Sequence, residues 1–419
     1  MKLRRLDVSE VEGLDRRAVD SATLIAAAEI VEAVRTGGEE AVRGFAEQFD
    51  EVVSGGPLLI GREEMENALN RVRDEDRRLL TRTAARIERF AAKQRASLTD
   101  LSLEIAGGRA GHQIEPVHRA GCYAPGGRYP LPSSVLMTAV TARVAGVENV
   151  VVASPRPALI TLAASAVAGA DAVLAVGGAH AIAALACGFD GLDPCDVVVG
   201  PGNKWVTAAK QLVAGQVGID MLAGPSELVV LADAGADPAM IAADLLAQAE
   251  HDPEALPVLV TTSESLASAV EIEIDGQLAD LPTREVAGAA LGNGFMTVAP
   301  DMDAAIAVCD RLAPEHLQVM TAQPDDVASR LSHWGGLFIG AGSAEVLGDY
   351  GAGPNHTLPT GGVARYRGGL SVMDFLRVRT WLEIDDPSAA RQTIEDSIAF
   401  ARLEGLEAHA RAAERRLVD

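Results

Sequence analysis

The chain has 419 residues, 48% hydrophobic and 23% charged, enough apolar content for two or more cores of ordinary domain size. Lys and Arg total 36 against 59 Asp and Glu, and the net charge of −23 repels a phosphate backbone or an anionic membrane surface, so neither nucleic acid nor membrane is an expected partner. Only 4% of the residues are aromatic while Gly, Ala and Val abound, which suits helices packed on sheets, an α/β protein and not an all-β sandwich.

The start "MKLRRLDVSE" lacks the apolar core of a signal peptide, and a cytoplasmic chain is expected. Cys122, Cys187, Cys195 and Cys309 show no CxxC spacing; they read as reduced thiols used in packing. "SATLIAAAEIVEAVRTGGEEAVRGFAEQF" and "DEDRRLLTRTAARIERFAAKQRASL" carry apolar residues at three- and four-residue spacing and predict helices. From "VHRAGCYAPGG" onward the texture changes. "VENVVVASP", "ADAVLAVGG", "CDVVVGPGN" and "SELVVLAD" predict buried parallel strands, each followed by a helical pattern. One tract here, "LITLAASAVAGADAVLAVGGAHAIAALACG", has the length of a membrane span, but Asp171, His180 and internal glycines break it into strand and helix pieces. A second series follows, with "ALPVLVTTS", "GFMTVAP" and "GGLFIG" as strands and "PAMIAADLLAQAEHD" and "DMDAAIAVCDRLAPEHL" among the helical patterns. Two separate doubly wound sheets are expected. The closing stretch reads as a helical tail with little core of its own, which docks onto something else.

No GxGxxG opens a helix after a strand; "YAPGGRYPLPSS" and "GPGNKWV" are the nearest substitutes for a phosphate-binding turn, though such turns also serve backbone geometry alone. In "LLAQAEHDP", Gln248 and His251 stand three apart, so both could aim at one ion, yet two ligands make no zinc site and the pair also reads as a helix cap or surface pair. In "LAPEHLQ", Pro314 suits the first turn of a helix. That would set Glu315 and His316 at its N-terminus, where the dipole keeps His316 neutral and able to accept a proton; a solvated cap is the alternative. "GDYGAGPNHTLPTGG" packs Asp349, Asn355 and His356 into a loop suited to binding, and "LEGLEAH" sets Glu404 and His409 in the tail.

Together "YAPGGRYPLPSSVLMTAVTARVAGV", "GPGNKWVTAAK", "GIDMLAGPSELVVLAD", "LLAQAEHDP", "APEHLQ", "GDYGAGPNHTLPT" and "EGLEAH", in this order and spanning essentially the whole chain, resemble the histidinol dehydrogenase family. The resemblance implies oxidation of L-histidinol through the aldehyde to L-histidine with two NAD, the last step of histidine biosynthesis. It implies Zn²⁺ on Gln248, His251, Asp349 and the tail His409, Glu315 and His316 as the water-activating and proton-transfer residues, and Ser226, His356 and Glu404 at the substrate. The four metal positions and His316 would touch substrate as well. Tyr123, His180 and Asn203 fall on the NAD positions, with His180 where the family usually carries glutamine. An intertwined homodimer would bring the tail histidine from the second copy.

The implied layout has two doubly wound Rossmann-like domains, with an N-terminal helical arm at 1–22. The first α/β domain, carrying zinc and catalysis, is expected at 23–105 and 227–363, the NAD-side domain at 106–226 and the C-terminal helical tail at 364–419. Two other readings fit less of the sequence. A related zinc and NAD dehydrogenase could act on another small polar alcohol. A zinc hydrolase using Glu315 as base lacks any HExxH or dense ligand cluster.

Overall fold

In the computed structural model of the chain, residues 3–11, 13, 16, 19–52, 55–126 and 129–417 are described. The Val- and Leu-rich runs form two six-stranded sheets, because a strand covered on both faces can be apolar at every position. The sheet built from the later part of the chain is parallel throughout. Its spatial order is Arg4–Arg5, Phe295–Val298, Leu256–Thr261, Glu227–Ala232, His316–Met320, Gly336–Ile339. Leu228, Val230 and Ala232 point into one core with helices Pro238–Ala249, Glu264–Ala279 and Arg284–Asn293. Val229 and Leu231 point into another with helices Met302–Leu312 and Pro324–Arg330.

The earlier sheet is ordered Leu59–Gly61, Ala172–Leu174, Asn149–Ala153, Arg119–Tyr123, Val197–Val199, Gly218–Ile219, parallel except for its first strand. Cys122, Val150 and Val152 pack with helices Arg62–Arg71, Asp74–Ala96 and Leu159–Val167. Tyr123, Val151 and Ala153 pack with Ser21–Gln48, Gly178–Cys187 and Lys204–Val213 on the other face. In both sheets the five successive parallel strands lie third, second, first, fourth, fifth, so the winding reverses beside the first. That reversal leaves a crevice between Arg119–Tyr123 and Val197–Val199, and another between Glu227–Ala232 and His316–Met320.

Three expectations about layout are corrected. Residues 23–105 do not group with 227–363: Leu59–Gly61 pairs with Ala172–Leu174, and helices Ser21–Gln48, Arg62–Arg71 and Asp74–Ala96 all cover the earlier sheet. The arm at 1–22, partly outside the described residues, is not simply helical, since Arg4–Arg5 adds a strand to the edge of the later sheet before the short helix Val8–Val11. The tail at 364–419 is likewise mixed. Its Leu376–Ile384 is a strand, antiparallel to Gly108–Pro116, which pairs in turn with Leu101–Ile105. The hairpin between those two turns at Gly107, whose φ of 78° is left-handed and whose missing Cβ would lie 2.3 Å from the Asp386 carbonyl oxygen.

Beyond that strand, helices Arg391–Leu403 and Glu407–Glu414 pack on each other around Ala390, Ile394, Ile398, Ala401 and Ala410, a cluster separate from the main cores. Among the described residues no helix is long and apolar enough to cross a membrane. The four cysteines are free thiols, three of them buried, and burial pushes the Cys122 thiol up to about 12.

Candidate functional site

Ser226 leads into the strand Glu227–Ala232 and Glu315 into the neighbouring strand His316–Met320, so both stand at the N-terminal edge of the later sheet, where Leu228 is opposite His316. This corrects the expected helix start at Pro314. Helix Met302–Leu312 ends at Ala313 with φ 43°, and Pro314 and Glu315 then run directly into a strand whose five residues are all buried. A run flanked by strands on both sides gains ladder hydrogen bonds along both edges, which outweighs the suitability of Pro314 for a helical first turn.

His316 is nonetheless neutral, for a different reason than a helix dipole. It is 3% exposed, and burial lowers its pKa to about 4 from the ordinary 6.5. Its Nδ1 lies 3.0 Å from the Glu227 carbonyl oxygen, which can only accept, so Nδ1 carries the proton. Nε2 is left as an unprotonated acceptor; it has no hydrogen-bond partner among the described residues and sits 3.8 Å from Asp349 Oδ1. Because the folded pKa is the depressed one, the stability of the neutral buried ring is complete above about pH 6.5 and is lost as the pH falls towards about 4. Because raised carboxyls such as Glu315 act in the opposite sense, the expectation is a difference: on acidification through that window metal-free wild type should lose stability relative to metal-free His316→Asn. Urea midpoints of both proteins at about pH 7 and about pH 5 check the difference; equal acid losses would contradict it.

Glu315 is buried beside this ring, with Oε2 accepting from Ser226 Oγ at 2.6 Å and from the Glu227 N–H at 2.8 Å. Burial still raises its carboxyl well above the usual range, helped by the charges of Glu227 and Asp349. Glu227 is itself held by Arg16 at 2.7 Å and by the Gly361 N–H at 3.1 Å.

Helix Pro238–Ala249, capped by Asp237, delivers Gln248 in its last turn, and His251 follows just past the helix end. Gln248 is fully buried, yet neither its amide oxygen nor its amide nitrogen finds a partner among the described residues. His251 Nε2 lies 3.5 Å from Asp349 Oδ2, and one ligand atom each from His251, Glu345 and Asp349 fall within 4.8 Å of one another. An orphaned buried amide beside an imidazole and carboxylates is a mixed N/O donor set that a divalent cation satisfies. Gln248 and His251, three residues apart, and Asp349, about a hundred residues on, are donor types that suit a metal site. Glu345 was missed, although its place one turn before Asp349 on the short helix Glu345–Asp349 was a readable signal.

His356 closes the site towards the earlier sheet: Nδ1 lies 3.0 Å from the Asp349 carbonyl oxygen and Nε2 3.4 Å from Ser134 Oγ. Its pKa is lowered, chiefly by burial. Next to it, Asn355 donates to the Met137 carbonyl oxygen at 2.8 Å, inside the π-helical turn Leu136–Val140. The N-terminal edge of one sheet therefore faces elements that follow the C-terminal edge of the other.

At that C-terminal edge, Tyr123 ends the first strand of the winding and its hydroxyl accepts from the Gly178 N–H at 3.2 Å. Asn203 follows the fourth strand and caps helix Lys204–Val213, its Oδ1 accepting from the Trp205 and Val206 N–H groups. Both residues thus border the crevice where α/β sheets take dinucleotides. His180 departs from the expected cofactor contact. It is 2% exposed, its Nε2 is 2.8 Å from the Glu51 carboxylate, and its ring packs beside both Phe45 and Phe49 with centroids 5.7 Å from each. That imidazole ties the end of helix Ser21–Gln48 to the start of Gly178–Cys187.

Glu404, in the turn just past helix Arg391–Leu403, and His409, on helix Glu407–Glu414, are both exposed, with Gly405 at φ 76° between the helices, and among the described residues no contact joins them to the other site residues.

Comparison with known proteins bears on this arrangement. A sequence model of the family described as histidinol dehydrogenase matches residues 14–417. The chain is 44% identical over 395 residues to the histidinol dehydrogenase of Parasynechococcus marenigrum, covering 93% of this chain and 90% of that one. It is 45% identical over 392 residues to that of Thermus thermophilus, covering 92% and 93%. The crystal structure of histidinol dehydrogenase from Elizabethkingia anophelis superposes with a TM-score of 0.90 at 30% identity, covering 99% of this chain and 98% of that one. An acetylating aldehyde dehydrogenase from Geobacillus thermoglucosidasius, at a TM-score of 0.52 and 14% identity, shares the fold alone.

Proposed function

The chain belongs to the histidinol dehydrogenase family, and from that premise we propose that it oxidises L-histidinol through histidinal to L-histidine, using zinc and two NAD in turn. The observation that carries this reading is the meeting of His251 and Asp349, with the orphaned buried amide of Gln248 three residues before His251, beside a neutral His316 whose Nε2 has no hydrogen-bond partner among the described residues. Two helix-covered sheets of like strand order support a pair of doubly wound, Rossmann-like domains, with Tyr123 and Asn203 lining the NAD crevice and the later sheet carrying metal and catalysis.

When bound, the zinc would hold the substrate's nitrogens and polarise its reacting oxygen. The chain's residues do the rest. His316 accepts the substrate's hydroxyl proton at Nε2, with Nδ1–H anchored on the Glu227 carbonyl so that the ring keeps its orientation. Glu315, fixed by Ser226, aims water at the aldehyde carbon for the second oxidation. His356, braced between Asp349 and Ser134, offers the substrate a neutral ring.

Glu404 and His409 enter this scheme from a second copy. Support comes from the exposed apolar residues on the antiparallel sheet and tail, among them Val378, Leu382, Phe400 and Leu403, which an intertwined homodimer would cover. We also read the protein as cytoplasmic, consistent with its free thiols.

NADH formed per histidinol tests the function. A limit of about two, lost when zinc is removed, is expected for a double two-electron oxidation. No NADH from histidinol would overturn the assignment in favour of another small polar alcohol, and conversion without NAD would indicate a hydrolase.

A further inference from the structure

Glu345 has no part in the scheme above, yet it is among the least satisfied groups in the molecule. It is 2% exposed, and neither carboxylate oxygen has a hydrogen-bond partner among the described residues. Three other buried acids of this chain are provided for. Asp220 meets Lys210 and the Gly200 and Met221 N–H groups, Glu227 meets Arg16 and the Gly361 N–H, and Glu315 meets Ser226 and the Glu227 N–H. The nearby His316 Nδ1, 3.6 Å from Glu345 Oε1, gives its proton to the Glu227 carbonyl instead. A carboxylate taken from water without donors or a counter-charge is strongly unfavourable.

Two further observations say what Glu345 lacks. It stands one turn before Asp349 on the same helix, so both carboxylates face one side, and with His251 they place donor atoms within 4.8 Å of one another. Gln248, on the helix Pro238–Ala249 that packs against Glu345–Asp349, is also fully buried with both amide atoms orphaned. Amide and carboxylate oxygens share one need here, a positive charge between them.

We propose that Glu345 is itself a ligand of the divalent cation in the substrate-free protein, so that one chain supplies Gln248, His251, Glu345 and Asp349. This rests on the zinc reading and extends it. Two carboxylates balance the charge of the ion, and imidazole and amide oxygen complete a mixed N/O set. The cation is then held before any second copy contributes a residue.

Full-length wild type, Glu345→Gln and Glu345→Asp, all without substrate, are stripped of metal and titrated with zinc against a chromophoric chelator, and the visible spectrum of each Co²⁺ form is recorded. Glu345→Gln is expected to weaken zinc by about 100-fold or more, beyond the usual effect of an outer-shell partner, and to change the Co²⁺ spectrum; Glu345→Asp recovers part of the affinity. Metal-free Glu345→Gln should unfold at no lower temperature than metal-free wild type, because the carboxyl it replaces has no hydrogen-bond partner to lose among the described residues. Wild-type affinity in Glu345→Gln, a weakened affinity with an unchanged Co²⁺ spectrum, or a lower unfolding temperature without metal would each overturn the assignment. Failure of the wild type to take up zinc would instead sink the zinc reading beneath it.

Discussion

Replacing His316 with Asn is expected to slow oxidation of histidinol by about 10³-fold, the range for loss of a general base, with zinc content unchanged. The geometry separates the two outcomes. His316 meets Asp349 only through Nε2 at 3.8 Å, and its anchoring contact is to the Glu227 carbonyl, which an Asn amide can still reach as a donor. The side chain is buried and enclosed by Phe338 at 5.9 Å, so water reaches Nε2 poorly and cannot readily replace the base. The loss should fall on kcat with little change in KM, since the proton transfer occurs only on the way to the transition state. Steady-state rates together with metal analysis check this; retained turnover would remove His316 from its role.

Mixing two inactive chains is expected to restore activity. A His251→Asn chain has a damaged metal site and an intact tail, and a His409→Asn chain the reverse. If each tail completes the site of the other copy, one of the two sites in a mixed dimer contains neither substitution. Random exchange makes about half the dimers mixed, so about a quarter of the wild-type activity should appear from parents that have almost none. The physical ground is the isolation of the tail, whose helices share a small cluster of their own while Glu404 and His409 face solvent. Coexpression with two affinity tags yields the mixed dimer for assay. A mixed dimer no more active than its parents would show that the tail serves its own chain or none.

What could be read from the sequence follows from where the stabilising contacts lie. Runs such as 227–232 and 256–261 are buried on both faces, so every position but Glu227 and Thr261 is apolar and the strands announce themselves. The strand at 316–320 was hidden because His316 and Gln318 are polar although buried, and because Pro314 imitates a helix start. Its two neighbours decide its form, and pairing of distant segments leaves no local mark. The antiparallel strands 101–105, 108–116 and 376–384 escaped notice because they are half-buried or exposed along their length and their apolar residues follow no burial rule. The same dependence on distant pairing put 23–105 on the wrong sheet.

For the candidate site, residues in distinctive motifs were legible and those known only by their surroundings were not. His251 and Asp349 lie in one cluster of donor atoms, while Glu345, the third member of that cluster, has an ordinary acidic side chain until its burial is seen. The unusual His180 drew attention as a possible cofactor contact, but Glu51 and two phenylalanine rings, far away in sequence, claim it for packing.

The most direct test is an anomalous difference map at the zinc edge from a crystal soaked in histidinol. A single peak is predicted about 2.0–2.2 Å from donor atoms of Gln248, His251 and Asp349, with His409 of a second copy and the nitrogens of the substrate beside it. A map showing histidinol bound there with no peak among those residues would contradict the account.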